Sequence, residues 1–417
     1  MPTRPTLTIR NMMMTNMTMM IVPYHAVITA RVTTDNNYVL GVWYAPPMWG
    51  VFCCGKIYLS IYNMSNKEDN KLAQQCIFCG KKPENKNKEH VIPQWLSKLV
   101  GSYDHVCNFG ALTEKQITFG KLTFPACTAC NTKFGDLEAA TKIILDKVLA
   151  GNAITATEIN TLLDWFDKIR VGMWLGQLML VDEKRDIEPQ FHIADRIGTK
   201  DRMLIVERLH QPEARIGFAG TNTETFLTCP SAFQLCIGDY VFTNASEMGL
   251  VSNSLGFPQI SKIRKGPKAT CDITPGRNKT KHPVVASLQA SPYRTLIYQP
   301  VFKCFAPTTR AKYYNVPYVL SHSLDAGNGV GGIFYQRGDN TVKYLGANEK
   351  INIVPRKSSE NVSLYKLAEK VYDLQHTVLN LFDYAGRTEY FKTVADSLKH
   401  ETEIYKDLIH KVAQHQR

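Results

Sequence analysis

Two Cys-x-x-Cys pairs stand out in this sequence as residues whose types and spacing could bind a metal. They are Cys76 with Cys79, and Cys127 with Cys130. The two-residue gap lets both thiolates of a pair reach one ion at about 2.3 Å, and four thiolates suit tetrahedral Zn²⁺. We therefore predict one structural zinc on these four cysteines. Two alternatives stay open. The zinc site is purely structural in a module without catalysis, or Cys107 competes with these four cysteines as a zinc ligand.

An acid–histidine pair, Glu89-His90, lies between the two cysteine pairs. A neutral imidazole can take a proton from water near pH 7, so His90 is the candidate general base. Glu89 and Asn131 could supply carboxylate and amide oxygens for Mg²⁺ or Mn²⁺, and such an ion would stabilise a leaving oxygen. Asp104-His105 is a competing acid–histidine pair, but it lacks the following x-x-Pro.

The elements around these residues are expected to be two strands and one helix. Residues 89–92 are typical of a short strand that Pro93 ends, and residues 121–125 of a second strand. Apolar spacing after Cys127 predicts a helix that Gly151 stops. The order strand, strand, helix is the minimal order of a ββα-metal unit.

In this order the motifs resemble the HNH endonuclease family, in the branch with CxxC, an acid-His-x-x-Pro strand and then CxxC-Asn. The similarity covers residues 76–138. It implies that His90 is the general base and that Glu89 and Asn131 bind a catalytic Mg²⁺ or Mn²⁺. It also implies that the four cysteines hold structural zinc away from the reaction. The implied activity is phosphodiester hydrolysis, with DNA as the expected nucleic-acid partner.

One position departs from the family pattern. The family usually has a middle Asn at the head of the second strand, where it orients the base, and residues 120–124 contain none. Thr123 or a backbone carbonyl is the expected substitute. Two other functions stay open: a non-catalytic zinc module that binds nucleic acid, and a nuclease that acts on RNA.

Composition and charge agree with a folded protein that has a polyanionic partner. The chain has 417 residues, 44% of them hydrophobic, which allows two or three domains with real cores. The net charge of +12 fits nucleic acid, and Lys81, Lys82, Lys86 and Lys88 lie near His90 in sequence. Paired cysteines of this kind favour metal binding in a reducing compartment, so we expect a cytoplasmic protein. No membrane-spanning segment is predicted.

The chain is expected to be an α+β protein with four regions. Residues 1–63 contain 8 of the 13 methionines and read as a poorly structured extension. The natural start is then expected at Met64, with a targeting peptide as the alternative. Residues 72–150 form the HNH module, residues 151–360 a mixed α+β domain, and residues 361–417 a helical region.

Two patterns define the regions after the module. Thr155 and Glu158 predict a capping box at the start of a second helix. Apolar residues at three- and four-residue spacing from Leu364 to Leu381, and again from Phe391 to Val412, predict a C-terminal helical hairpin. A coiled coil that forms a homodimer is the alternative.

Five strands are expected between these helices, at residues 202–209, 225–229, 240–243, 294–305 and 314–321. Residues 262–281 are expected to form a basic loop.

Overall fold

The computed structural model describes most of the chain between residues 74 and 381 and short segments outside it. The described residues are 26–32, 38–44, 58–60, 74–85, 87–101, 106–108, 116–180, 192–210, 216–221, 231–247, 252, 254–257, 259–265, 271–276, 288, 291–301, 324–325, 328–338, 341–358, 364–381, 399–400, 402–403 and 406–407. The chain divides into two compact units, Met1–Met64 and Ser65–Arg417. No helix within these described segments is long and apolar enough to cross a membrane.

The first unit contains a three-stranded antiparallel sheet. Its strands are β1 (Ala26–Val32), β2 (Tyr38–Tyr44) and β3 (Tyr58–Ser60), and β2 lies in the middle. The unusual methionine content suggested little regular structure in this segment. The strands themselves, however, are rich in β-branched and aromatic residues, which favour extended backbone.

The second unit has five described helices and four short strand pairs in addition to one large sheet. The helices are α1 (Gln94–Leu99), α2 (Thr128–Leu149), α3 (Ala156–Leu180), α4 (Ile193–Arg196) and α5 (Leu364–Leu381). The short antiparallel pairs are β4 (Asn87–His90) with β7 (Thr123–Ala126), β5 (Val106–Asn108) with β6 (Gln116–Thr118), β8 (Ile154–Thr155) with β18 (Lys350–Ile351), and β13 (Gln259–Lys265) with β14 (Cys271–Gly276). A 3₁₀ turn, Phe119–Lys121, precedes β7.

The large sheet has seven strands and is antiparallel throughout, so the fold is mixed α+β. The strands are β9 (Asp201–Arg208), β10 (Ile216–Ala219), β11 (Ser231–Ile237), β12 (Tyr240–Glu247), β15 (Arg294–Gln299), β16 (Ile333–Arg337) and β17 (Val342–Leu345). Their order is β10-β11-β12-β9-β15-β16-β17. The central strand β9 is buried along most of its length.

Helices cover both faces of this sheet. Alternate residues of a strand point to opposite faces. Leu204 and Val206 of β9 pack in one core with residues of α3 and α2, whereas Met203 and Ile205 pack in a second core with residues of α5. Because both faces are covered, residues 203–206 in the middle of β9 form a continuous apolar run and lack the alternation of a half-exposed strand.

Buried polar groups also join α3 to one end of the sheet. Arg170 of α3 is fully buried and bonds Asp167 at 2.8 Å and the side chain of Asn244 on β12. Arg202 on β9 reaches back to Asp164 of α3. Breaking a buried ion pair leaves a charge without compensation, so these contacts fix how α3 lies on the sheet.

A different face of α3 lies very close to the strand pair β4–β7. Gly172 and Gly176 are one helical turn apart and lie on one face. A Cβ atom at Gly172 would lie 2.8 Å from Cγ1 of Val91, and one at Gly176 would lie 2.6 Å from Cζ of Phe124. Glycine in a helix costs about 1 kcal/mol relative to alanine. Here it allows the helix to approach the strands.

Alanine at either of these glycines is expected to destabilise the protein. The added methyl groups would overlap Val91 or Phe124, and overpacking typically costs about 1–3 kcal/mol. Gly135→Ala in α2 is the matched control, because a Cβ there meets nothing within 4 Å; we expect it to be neutral or to stabilise by up to about 1 kcal/mol. Thermal unfolding of the three variants gives the comparison. Equal melting temperatures would contradict the close approach.

Several sequence predictions agree with these elements. β9, β12 and β15 overlap three of the predicted strands, and α2 follows Cys127 as expected. The capping box is confirmed: the Thr155 backbone N–H donates to Glu158 Oε2 at 2.8 Å, and the Glu158 N–H donates to Thr155 Oγ1 at 3.2 Å.

Other predictions differ from the structure or fall outside it. The predicted basic loop at 262–281 is wrong in part, because β13 and β14 pair there as an antiparallel hairpin. Pro275 can lie in a strand of this pair because a two-stranded sheet consists of edges only. The first helix of the predicted C-terminal hairpin is α5, whereas most of the second helix lies outside the described residues. The predicted strands at 225–229 and 314–321 also lie outside them.

Candidate functional site

The four predicted cysteines meet in space. Cys76 and Cys79 lie in a turn that ends at Gly80, where φ is +70°, a conformation that favours glycine. Cys127 is the N-cap of α2, and Cys130 lies in its first turn. All four Sγ atoms lie within 4.8 Å of one another. The Cys79 and Cys127 Sγ atoms are 3.8 Å apart, close to the roughly 3.8 Å spacing of two thiolates on a tetrahedral zinc.

The ionisation of these thiols also fits a bound cation. The four cysteines are free of disulfides. Burial and the neighbouring thiols raise the pKa of Cys127 to about 11 and the pKa of Cys130 to about 12. Burial also acts to raise the pKa of Cys76, but backbone N–H groups outweigh it and the net pKa is lowered. Four thiolates this close repel one another, and a Zn²⁺ ion would remove that repulsion.

Helix α4 packs against the turn that carries the first cysteine pair. Its Ile193 N–H donates to the carbonyl oxygen of Ile77 at 3.2 Å, and its Ala194 N–H donates to that of Phe78 at 2.9 Å. A Cβ atom at Gly80 would lie 2.5 Å from Cε1 of His192. The turn is therefore held from outside the segment that the cysteines enclose, and His192 has a packing role there.

His90 and Thr123 face each other across the short strand pair. They are directly paired in the register of β4 and β7, and Glu89 is paired with Phe124. Since side chains alternate along a strand, His90 and Thr123 share one face, and Glu89 and Phe124 share the other. The predicted substitute for the middle Asn thus lies opposite the predicted base.

The imidazole of His90 has one partner among the described residues. Its Nε2 atom lies 2.8 Å from the side-chain Nε2 of Gln94. Its Nδ1 atom is buried and has no hydrogen-bond partner within the described part of the chain. Burial lowers the pKa of His90, Glu89 opposes this effect, and Lys168 adds to it. The imidazole is therefore neutral at pH 7, as a general base requires.

Glu89 points away from His90 and forms a buried ion pair. Its Oε1 lies 2.6 Å from Nζ of Lys168 on α3, and the same ammonium also bonds Glu138 of α2. Lys168 is fully buried, and its Nζ lies 5.8 Å from the centre of the Phe78 ring. Burial raises the pKa of Glu138, while Lys168 acts to lower it. One lysine thus ties together α3, β4 and α2.

Sequence reasoning missed both Gln94 and Lys168. Gln94 follows His90 by four residues, with Pro93 between them. This short spacing was the available signal that the two side chains could be in contact. Lys168 stands in the segment Trp165 to Val171, which is apolar apart from Asp167, Lys168 and Arg170. A lysine in such a segment is rarely fully buried unless it is paired.

The proposed catalytic-metal ligands do not form a recognisable cluster of acidic, histidine or cysteine side chains. Within the described segments, the four cysteines are the one group of three or more such side chains placed to hold an ion. Asn131 lies in the first turn of α2, is half-buried, and donates its backbone N–H to the Cys127 carbonyl oxygen at 2.9 Å. The metal roles of Glu89 and Asn131 stay predictions.

Neither competing candidate from the sequence has a described side chain. Asp104 and His105 lie outside the described residues, and Cys107 lies in β5, where only the backbone is described. No protein-family model, curated protein or solved structure matches the chain. The site is therefore interpreted from its own chemistry.

Proposed function

We propose that the chain is an HNH-type metal-dependent endonuclease that hydrolyses phosphodiester bonds in DNA. The observation that supports this most is the position of His90. Its neutral imidazole stands on a strand pair that the cysteine cluster closes at one end. These features suit a general base that takes a proton from water.

In the proposed reaction His90 accepts a proton from a water molecule as the water oxygen attacks phosphorus. The bond between phosphorus and the leaving oxygen then breaks. A divalent cation, Mg²⁺ or Mn²⁺, would supply positive charge at the leaving oxygen. Glu89 and Asn131 are its proposed ligands. Binding there would require Glu89 to leave the ammonium of Lys168, with which it pairs on the face of β4 opposite His90.

The cysteine cluster has a structural part in this proposal. A Zn²⁺ on Cys76, Cys79, Cys127 and Cys130 would join the turn before β4 to the start of α2. It would thereby hold together the end of the strand pair where β4 begins and β7 ends. The zinc would have no contact with the substrate.

Exposed lysines near His90 support a polyanionic substrate. Lys88 is exposed and lies two residues before His90, so both side chains stand on the same face of β4. Lys81 and Lys82 are exposed in the turn that follows the first cysteine pair. Lysines at such positions contact phosphates and give affinity that falls with salt, without sequence preference. Homodimerisation through the C-terminal helices stays a prediction.

A second candidate is a zinc module that binds nucleic acid without cleaving it. The buried ion pair between Glu89 and Lys168 favours this candidate, because it engages the acidic residue that would bind the catalytic metal. DNA binding would persist under this candidate, and no cleavage would occur with any divalent cation.

The test is cleavage of supercoiled plasmid by the full chain, with zinc content measured on the same preparation. We expect nicked or linear product with Mg²⁺ or Mn²⁺, and none when the added cation is omitted. A parallel reaction with single-stranded RNA tests the alternative substrate. Retained zinc and DNA binding without cleavage of either substrate would support the second candidate.

A further inference from the structure

We infer that the outer face of the strand pair β4–β7 binds the backbone of one DNA strand, with Lys88 and Lys121 contacting phosphates on either side of His90. The outer face consists of five residues of β4, of β7 and of the 3₁₀ turn before β7: Lys88, His90, Lys121, Thr123 and Pro125. That the bound strand is cut at His90 rests on the proposed function. Binding by the two lysines does not depend on any cleavage.

Burial alternates along both strands, and this alternation defines the outer face. In β4, Lys88 is exposed and His90 is half-buried, whereas Glu89 between them is buried. Between residues 121 and 126, the odd-numbered positions are exposed or half-buried and the even-numbered positions are buried. The same alternation therefore continues from β7 back into the 3₁₀ turn, and Lys121 lies on the face that carries His90.

The register of the strand pair puts the two lysines at opposite ends of the outer face. His90 is paired with Thr123. Lys88 is paired with Pro125, and the strands are antiparallel. Lys121 therefore lies beyond Thr123 in the direction away from Lys88. Two residues of a strand span about 7 Å, so Lys88 stands at about that distance from His90 along β4, and Lys121 lies on the other side.

The outer face has positive charge and no carboxylate of its own. None of its five residues is acidic. Glu89, the acidic residue between Lys88 and His90, lies on the opposite face of β4 and pairs there with Lys168. The charges of Lys88 and Lys121 are thus presented to the same side as His90. A polyanion that lies along this face would meet a lysine before and after the imidazole.

Contacts of this kind position the DNA strand without selecting its sequence. Lysine side chains that neutralise phosphates release counterions, so the affinity falls as salt rises. Phosphate groups are the same in every sequence, and contacts to them fix the register of the backbone on the protein. The two lysines therefore hold a phosphate over His90 in DNA of any sequence.

The binding test compares Lys88→Gln and Lys121→Gln in the full chain with zinc bound. A labelled DNA duplex is titrated at several salt concentrations, without added Mg²⁺ or Mn²⁺. We expect each variant to raise Kd about 2- to 5-fold at low salt and to reduce the slope of log Kd against log salt by about 1. Lys121→Arg keeps the charge and should match the parent. Lys343→Gln removes the same charge from an exposed position in the edge strand β17 and should also match the parent.

The two lysines are exposed, so zinc content and melting temperature should stay at the parent's values and show that the fold is kept. Equal Kd and equal salt slope in Lys121→Gln and Lys343→Gln would overturn the inference, and so would a parent that does not bind DNA. A loss in Lys121→Gln that Lys121→Arg shares would overturn it too, because the charge would then not be the cause.

A cleavage assay separates this inference from the proposed function. The lost contacts bind substrate and transition state alike, so Lys88→Gln and Lys121→Gln should raise KM for plasmid and leave kcat nearly unchanged. If the parent binds DNA through these lysines but cleaves no substrate, the proposed function fails and the binding face stands. If the parent cleaves and both lysine variants keep its Kd and KM, the inference fails and the proposed function stands.

Discussion

A variant that carries Cys76→Ser and Cys127→Ser is expected to lose its zinc and to unfold at a markedly lower temperature than the parent. Each pair then keeps one thiol, and two thiolates cannot hold zinc tetrahedrally. Structural zinc sites have binding free energies on the order of 10 kcal/mol, comparable with the roughly 5–15 kcal/mol that stabilises a whole domain. Metal analysis and calorimetry of the full chain measure both effects.

Cys236→Ser is the matched control for this experiment. Cys236 is buried in β11 outside the cluster, and its Sγ lies 3.5 Å from the carbonyl oxygen of Gly238. A serine hydroxyl can donate to the same carbonyl oxygen, so we expect unchanged zinc content and a small change in melting temperature. Full zinc retention in the double variant would contradict the assignment of the four ligands.

The second large effect is expected on activity. His90→Ala should reduce plasmid cleavage by about 10²- to 10⁴-fold, the usual contribution of a general base. Zinc content and DNA affinity should stay at the parent's values, because His90 lies outside the cysteine cluster. Initial rates of supercoiled-plasmid loss, measured with Mg²⁺ and with Mn²⁺, give the comparison.

His210→Ala controls for the loss of a histidine as such. His210 is exposed and follows strand β9, far in sequence from the proposed base. The His210→Ala variant is expected to cleave plasmid at the parent's rate. Cleavage by His90→Ala at that same rate would contradict the proposed role and would point to a contaminating nuclease or to a different base.

Two kinds of feature could be predicted from the sequence: those set by residues close together in the chain, and those marked by residue types that are typical of one kind of site. The capping box of Thr155 and Glu158 spans one helical turn, so its residues specify the helix start without help from the fold. The cysteines could be grouped although Cys79 and Cys127 are 48 positions apart, because two Cys-x-x-Cys pairs in one chain are typical of a metal site.

The features that could not be predicted depend on contacts between distant segments. Lys168 bonds Glu89, which is 79 positions away in the sequence. The sequence around either residue gives no indication that the other is its partner. The strand order of the large sheet likewise depends on which faces α3 and α5 cover. At residues 262–281 the glycine and proline signals suggested a loop, but β13 and β14 pair there, and the β-branched residues Ile263, Ile273 and Thr274 favour extended backbone.

The contacts of α3 set a lower limit on the length of chain that could carry the candidate site into another protein. A graft of residues 72–150 into another protein would carry the zinc ligands and His90. It would leave Glu89 and Glu138 without the ammonium of Lys168, and it would expose Val91 and Phe124, which Gly172 and Gly176 cover. The smallest portable unit of this site therefore extends at least through α3, to Leu180.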